Sequence, residues 1–203
     1  RKNGKWTYAR ASQTPGDLHL KSGTFTVRCK EVYTADEALG IQIRPDGHMS
    51  DEAKYLIKKS LTWCDALRTK KLEKSETWYC LNTTIMKTIE YPLTATSLTR
   101  KQVDSIMKPI FKTALRKCGI QRNLPRKLVY GTLKARGLGI KDPYHTQLIF
   151  HLLAILRHSN CDTPSHDLLQ DNMEIIQFHI GAQHNFWDLP YEQYAVLAPD
   201  GWM

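Results

Sequence analysis

The segment Leu98–Gly119 leaves its chain little choice of structure. Thr99 can cap a helix and Gln102 sits three residues later, which is a capping box. Leu98 before the cap and Val103 after it make the matching hydrophobic staple. Val103, Ile106, Met107, Ile110, Phe111, Ala114, Leu115 and Cys118 then trace one face without a miss. Gly119 supplies the stop. Pro109, inside the run, predicts a kink. The other face carries Arg100, Lys101, Lys108, Lys112, Arg116 and Lys117. Such a helix buries one side and turns cations outward.

That outward charge continues beyond the helix. The connector Ile120–Lys141 adds Arg122, Arg126, Lys127, Lys134, Arg136 and Lys141. From Arg100 to His158 there are 13 Lys/Arg against two acids, a net +11. The first 99 residues carry only +5, and Ser159–Met203 carries seven acids and no Lys or Arg. The overall charge of +9 therefore hides a strongly basic block followed by an acidic tail. A basic face on one helix is more often only a solvated surface. Basic charge that runs on through a connector is the footprint expected for nucleic acid.

At 203 residues with 41% hydrophobic content, the chain can build one large domain or two small ones. It starts at Arg1 and stops at Gly201-Trp202-Met203, and reads as a fragment of something longer, although a processed chain would look the same. It has neither an apolar run of membrane-spanning length nor a signal-peptide core at its start. The five cysteines are widely spaced without a C-x-x-C, which suits reduced thiols in an intracellular protein.

Three parts are expected in order. Residues 1–49 read as β-rich. Lys5-Trp6-Thr7-Tyr8 and Thr24–Cys29 are strand candidates, with a turn at Thr14-Pro15-Gly16-Asp17. Ala38–Ile43 reads as a further strand closed by Arg44-Pro45-Asp46-Gly47. Gly40 inside it marks either a bulge or close backbone, or merely a loosened edge.

Residues 50–119 read as helical. Ser50 is the expected cap of the first helix, with Ala53, Leu56, Ile57, Ser60, Cys64 and Leu67 inward. After the basic break Arg68-Thr69-Lys70-Lys71, Ser75 caps a second helix. Its inner stripe is Trp78, Leu81, Asn82, Ile85, Met86 and Ile89, and Pro92 ends it near Tyr91.

Residues 120–203 form the connector and a C-terminal helical region. Leu128-Val129-Tyr130 reads as a short strand. Asp142-Pro143 opens a buried helix with Leu148, Ile149, Leu152, Leu153, Ile155 and Leu156 inward. Thr163-Pro164 opens another, with Leu168, Leu169, Met173 and Ile176 inward. After Gly181 the chain is aromatic and acidic, with no regular structure expected around Phe186, Trp187, Tyr191 and Tyr194.

Catalytic signals are missing. The chain has no G-x-S-x-G, P-loop or H-E-x-x-H, and no adjacent pair of aspartates. Asp36-Glu37, just before a strand, would cap or flank a turn and not share a metal, because strand neighbours face opposite ways. Cys161, His166, His179 and His184 lack the paired spacings of a zinc finger, so ordinary surface histidines are the better reading. Trp63, Trp78, Tyr79 and Tyr91 could stack on bases, although Trp78 belongs to a core stripe.

Several segments together resemble the region downstream of the catalytic motifs in reverse transcriptases of non-LTR, LINE-like retrotransposons. Glu37-Ala38-Leu39-Gly40-Ile41 resembles the LG(V/I) strand of that family's primer-grip hairpin. Asn82–Leu93 resembles the helix and exit of the thumb, and Leu133–Ile140 resembles the K-x-x-G-G-L-G-I segment after it. Arg136 stands where that motif has its first glycine. The family's Y/F-x-D-D and partner aspartate, which hold two metal ions, have no counterpart here.

The resemblance implies a thumb and connector that holds template–primer or an RNA–DNA heteroduplex. Catalysis, and its Mg2+, would come from upstream palm and fingers of the same polypeptide. The element would act in the nucleus, and this fragment alone would not polymerise. The expected fold is mainly α with a small antiparallel β region at the N-terminus. Arg116, Lys117, Arg122, Arg126, Lys127, Lys134 and Arg136 are the expected phosphate contacts, lining one continuous groove. Leu39, Gly40 and Ile41 are expected to position the primer. The alternatives are a helical protein-interaction module that pairs basic with acidic segments, or the remnant of an inactive retroelement.

Overall fold

Leu39 and Gly40 both take positive φ, +52° and +81°. Two successive residues of that kind are what a two-residue hairpin turn requires. In a computed structural model of the chain they join β3 (Asp36–Ala38) to β4 (Ile41–Ile43), with Asp36 opposite Ile43 and Ala38 opposite Ile41. The single strand expected over Ala38–Ile43 is therefore a hairpin bend, and Gly40 is its turn residue, not a bulge. Asp36 and Glu37 lie within β3, not ahead of it. The structure describes residues 18–19, 26–27, 29–159, 161–184, 188, 190 and 192. The strand read at Lys5–Tyr8, the turn at Thr14–Asp17 and the aromatics Phe186, Trp187, Tyr191 and Tyr194 lie outside them. Of the strand read at Thr24–Cys29, only β2 (Thr26–Val27) is seen, paired antiparallel with β1 (Leu18–His19).

Contacts group the chain into two units, Arg1–Lys58 and Lys59–Met203, with α1 (Ser50–Thr69) running through the boundary. In the first unit, Arg44 organises the turn before α1. Its guanidinium reaches Asp46 at 2.5 Å, Ser50 at 3.1 Å and Asp51 at 3.3 Å. Ser50 is the first helical residue rather than the cap, since Ala53 N–H already bonds to the Met49 carbonyl. The fully buried Glu52 accepts the Gln42 N–H at 2.7 Å, which anchors β4 to the helix.

Among the described residues, the regular structure of the second unit is all helical. α2 (Lys74–Cys80) starts two residues earlier than Ser75 suggests. Its cap is Glu73, whose N–H donates to the Glu76 carboxylate at 2.8 Å. α2 passes through one π turn (Leu81–Ile85) into α3 (Met86–Glu90), then a 3-10 turn (Tyr91–Thr94) that holds Pro92. Leu81, Ile85, Met86 and Ile89 are buried as expected, while Trp78 and Asn82 are half-buried.

α4 (Arg100–Lys117) starts, buries its apolar face and stops as expected, except that Cys118, half-buried, is its C-cap. Thr99 and Gln102 form the reciprocal capping box. Val103, Ile106, Met107, Ile110, Phe111, Ala114 and Leu115 are all buried. At its end Ile120 N–H bonds to Leu115 O and Gly119 N–H to Arg116 O, with Gly119 at φ +78°. That double closure is the glycine stop.

Beyond α4, Arg126–Val129 is a helical turn, α5, and not the expected strand. Pro125 at its cap sets the first turn, and Val129 is fully buried. Backbone bonds from Leu138 to Leu128, Gly139 to Gly131 and Ile140 to Val129 fold the following loop back on α5. Arg136 sits at φ +59°, a left-handed conformation that costs a non-glycine residue about 1–2 kcal/mol.

α6 (Pro143–His158) overturns the expected burial. Pro143, Thr146, Gln147, His151 and Ile155 face inward. Leu148, Ile149, Leu152, Leu153 and Leu156 are between 41% and 62% exposed. The inward face is polar because it meets backbone that no helix satisfies. Gln147 accepts the Leu98 N–H at 2.9 Å and donates to the Leu98 carbonyl at 3.1 Å. His151 bonds to the backbone at Thr96 and Leu93. On α7 (Pro164–Ile180), which packs on α6, Met173 is buried and Leu169 and Ile176 are half-buried. Leu168 points outward, against expectation.

Burial pushes the His151 pKa below the ordinary histidine value. Between the unfolded value of about 6.5 and that lower folded value, only the unfolded chain takes up the proton. Stability should thus be full above about pH 6.5 and fall as pH drops below it. Urea midpoints measured on either side of that pH should show the loss. His151→Gln should remove this part of the slope.

Candidate nucleic-acid interface

On α4, Lys101, Lys108, Lys112 and Arg116 recur at helical spacing on one exposed face. Fifteen residues of helix make that stripe roughly 22 Å long. It ends at a concavity of about 450 Å³ lined by Leu67, Arg68, Lys112, Thr113, Arg116, Lys117 and Arg122. No acid lines it. Lys112, Arg116 and Arg122 have no carboxylate partner among the described residues. Arg68 pairs with the exposed Asp65 at 2.8 Å and reaches Thr113 Oγ1 at 3.4 Å.

Lys117 plays a different part from its neighbours. Its ammonium donates to the carbonyls of Leu67 and Lys70. It thereby satisfies the C-terminal end of α1, where orphan carbonyls and the helix dipole favour a cation. Lys117 therefore lines the concavity as a clamp between α1 and α4.

A second concavity, of about 690 Å³, lies at the N-terminal end of α4. Arg100, Arg126, Lys127, Tyr130, Lys141, Asp142, His145 and Ile149 are among its walls. Much of its charge is already matched. Arg100 donates to Asp142 at 2.6 Å and stacks over Tyr144 at 5.5 Å and Tyr130 at 6.0 Å. Asp142, half-buried, also caps α6 through the Tyr144 N–H and meets His145 Nδ1 at 2.9 Å. The hydrogen bond to Asp142 raises the Arg100 pKa further. Lys141 bonds to Glu90 at 3.0 Å. Burial alone would raise the pKa of Glu90, but Lys87 and Lys141 hold it below the usual range.

Arg126 and Lys127 remain as the uncommitted cations of this concavity. The Arg126 guanidinium lies 4.6 Å over the Phe111 ring, and its buried Nη1 has no hydrogen-bond partner among the described residues. Tyr130 Oη is likewise buried and unpartnered. Burial and the nearby Asp142 push the Tyr130 pKa to about 12, so the phenol stays a donor at neutral pH. Arg126 opens α5 and Tyr130 is its C-cap, one helical turn on, so both donors lie on one side of that turn.

The seven expected phosphate contacts are therefore divided. Arg116, Lys117 and Arg122 share the first concavity, and Arg126 and Lys127 the second. Lys134 and Arg136 line neither and stand exposed on the loop after α5. The expected single continuous groove is instead two cationic hollows at opposite ends of α4. The sequence reading missed Arg68, which it placed in a basic break after the first helix and which lies in the last turn of α1. In the first unit, Leu39 and Gly40 form the exposed tip of the β3–β4 hairpin, and Ile41 is buried behind them.

Cys161 Sγ donates to Arg157 O and His166 Nδ1 meets His158 O. Among the described residues no three His, Cys, Asp or Glu side chains gather as metal ligands would. Also among them, no helix is long and apolar enough to cross a membrane. Compared with known proteins, the chain matches no family model, no curated sequence and no solved structure.

Proposed function

We propose that this chain is the template–primer-binding thumb and connector of an RNA-directed DNA polymerase from a retroelement. In this reading it acts in the nucleus, and the palm and fingers of the same polypeptide supply the catalytic carboxylates and their Mg2+. The observation that carries the proposal is the acid-free hollow at the C-terminal end of α4, where Arg68, Lys112, Arg116 and Arg122 converge. Cations held on a rigid helix suit a phosphate backbone read by shape, which is how a heteroduplex is recognised. The Leu39–Gly40 hairpin tip would meet the primer end. Lys117 serves chiefly to fix α1 against α4 so that the hollow keeps its form.

Binding of an RNA–DNA heteroduplex at several salt concentrations tests this. Affinity should fall steeply with salt, by about 0.9 in log–log slope for each phosphate neutralised. Arg116→Ala with Arg122→Ala should flatten the slope by about 2. Arg126→Ala with Lys127→Ala reports separately on the second hollow. Wild-type slopes in both double variants would sink the proposal.

A second reading, a protein-interaction module, is favoured by the outward aliphatic face of α6. Loss of that face's exposure on adding a protein partner, with no heteroduplex binding, would favour it.

A further inference from the structure

We infer that the chain pairs with a second copy of itself, the outward face of α6 in one copy receiving the outer face of α7 from the other. This goes beyond the nucleic-acid reading and stands on different residues. Leu148, Ile149, Leu152, Leu153 and Leu156 occupy one arc of α6 over more than two turns, and all are exposed. The largest apolar patch on an ordinary monomer is about 300–600 Å², and patches of that kind are commonly interaction sites. The inward arc of α6 is committed to Leu98, Thr96 and Leu93, so the helix cannot roll to hide its leucines without breaking those bonds.

Charge identifies the occupant. Ile149 belongs both to the aliphatic face and to the wall of the second hollow, beside the uncommitted cations Arg126 and Lys127. The face is thus apolar with a cationic border. Its complement is a helix with an apolar stripe and an acidic border. α7 has that character on the side turned away from its own chain. Leu168 and Ile175 are exposed there, with Asp167, Asp171 and Glu174 exposed around them. Between Ser159 and Met203 there is no Lys or Arg to oppose the match.

Among the described residues, α7 directs Leu169, Met173 and Ile176 inward and leaves Leu168 and Ile175 on its outer face uncovered. On the α6 face a basic amphipathic helix would be repelled by Lys127, and a neutral one would leave that cation unmatched. Because α6 and α7 form one hairpin, the exchange can be reciprocal, giving a closed two-fold dimer of four helices.

Sedimentation velocity of the full chain across the micromolar range tests the inference. A concentration-dependent dimer is expected, weakened but not abolished by salt. Leu152→Glu with Leu156→Glu should raise the dimer Kd at least ~100-fold. Asp171→Lys with Glu174→Lys should raise it about tenfold. Mixing that variant with Lys127→Glu should restore hetero-pairing. All of these positions are exposed, and helical circular dichroism checks that the variants fold. On the unmodified chain, zero-length cross-linking of an isotopically mixed sample should join Lys127 of one copy to Asp171 or Glu174 of the other. A monomer at every concentration overturns the inference. So does a dimer unmoved by the α6 changes, or one broken by them yet indifferent to the charge reversals on α7, since the occupant would then be something else.

Discussion

Replacing Gly137 with alanine should destabilise the helical unit by at least ~3 kcal/mol, the upper range for forced overpacking. Gly137 is buried where the loop after α5 crosses its own start. A Cβ placed on it would stand 2.2 Å from the Gly131 carbonyl oxygen and 2.5 Å from the Gly131 Cα. The obstacle is backbone, so no rotamer change relieves it. Nor can Gly131 easily retreat, because its carbonyl accepts the Gly139 N–H at 2.8 Å and its own Cβ position lies 2.8 Å from the Lys127 carbonyl. In thermal unfolding the change should lower the midpoint by roughly 6–12 °C for a unit of this size. A variant with a wild-type melting curve would show that the crossing opens freely. Gly47→Ala, where a Cβ meets nothing within 4 Å, is the contrasting case, with strain arising only from its φ of +75°.

Some of this molecule was written plainly in its residues. α4 was readable at both ends and along its face because its capping box, apolar repeat and glycine stop all agree. The same holds for the Asp142-Pro143 and Thr163-Pro164 helix starts. The mainly helical fold with a small antiparallel β region follows from these local signals. What failed were inferences about partners in space. The leucines of α6 look like a core stripe, and only the placement of Leu98 and His151 reveals that the inward face must be polar. Lys117 looks like a phosphate contact until the end of α1 is seen to need it. Arg100 looks like part of a cationic face until Asp142 is found 42 residues away in sequence and 2.6 Å away in space. The hairpin at Leu39–Gly40 was hidden because a leucine occupies a turn position that favours glycine or asparagine. Charge composition located the basic block correctly but could not say which cations were already paired.

Phe111 joins the core to the second hollow, and removing its ring should be felt in both. Its side chain is fully buried, and Phe111→Ala should cost about 3–5 kcal/mol of unfolding free energy, measurable by urea titration. The ring also holds the Arg126 guanidinium 4.6 Å above it and meets the Tyr130 ring edge-on at 5.7 Å. Stacking fixes where the Arg126 charge points, and Tyr130 in turn lies under Arg100. Phe111→Leu separates the two roles. It keeps most of the apolar volume, so its stability cost should stay near 1 kcal/mol, but it removes the π face. If Arg126 binds phosphate from a pre-set position, Phe111→Leu should weaken heteroduplex binding as Arg126→Ala does, with no further loss when the two are combined. Additive losses would mean that the ring supports only the core and that Arg126 finds its ligand unaided. The Arg116 and Arg122 contribution, at the far end of α4, should be unchanged in every one of these variants.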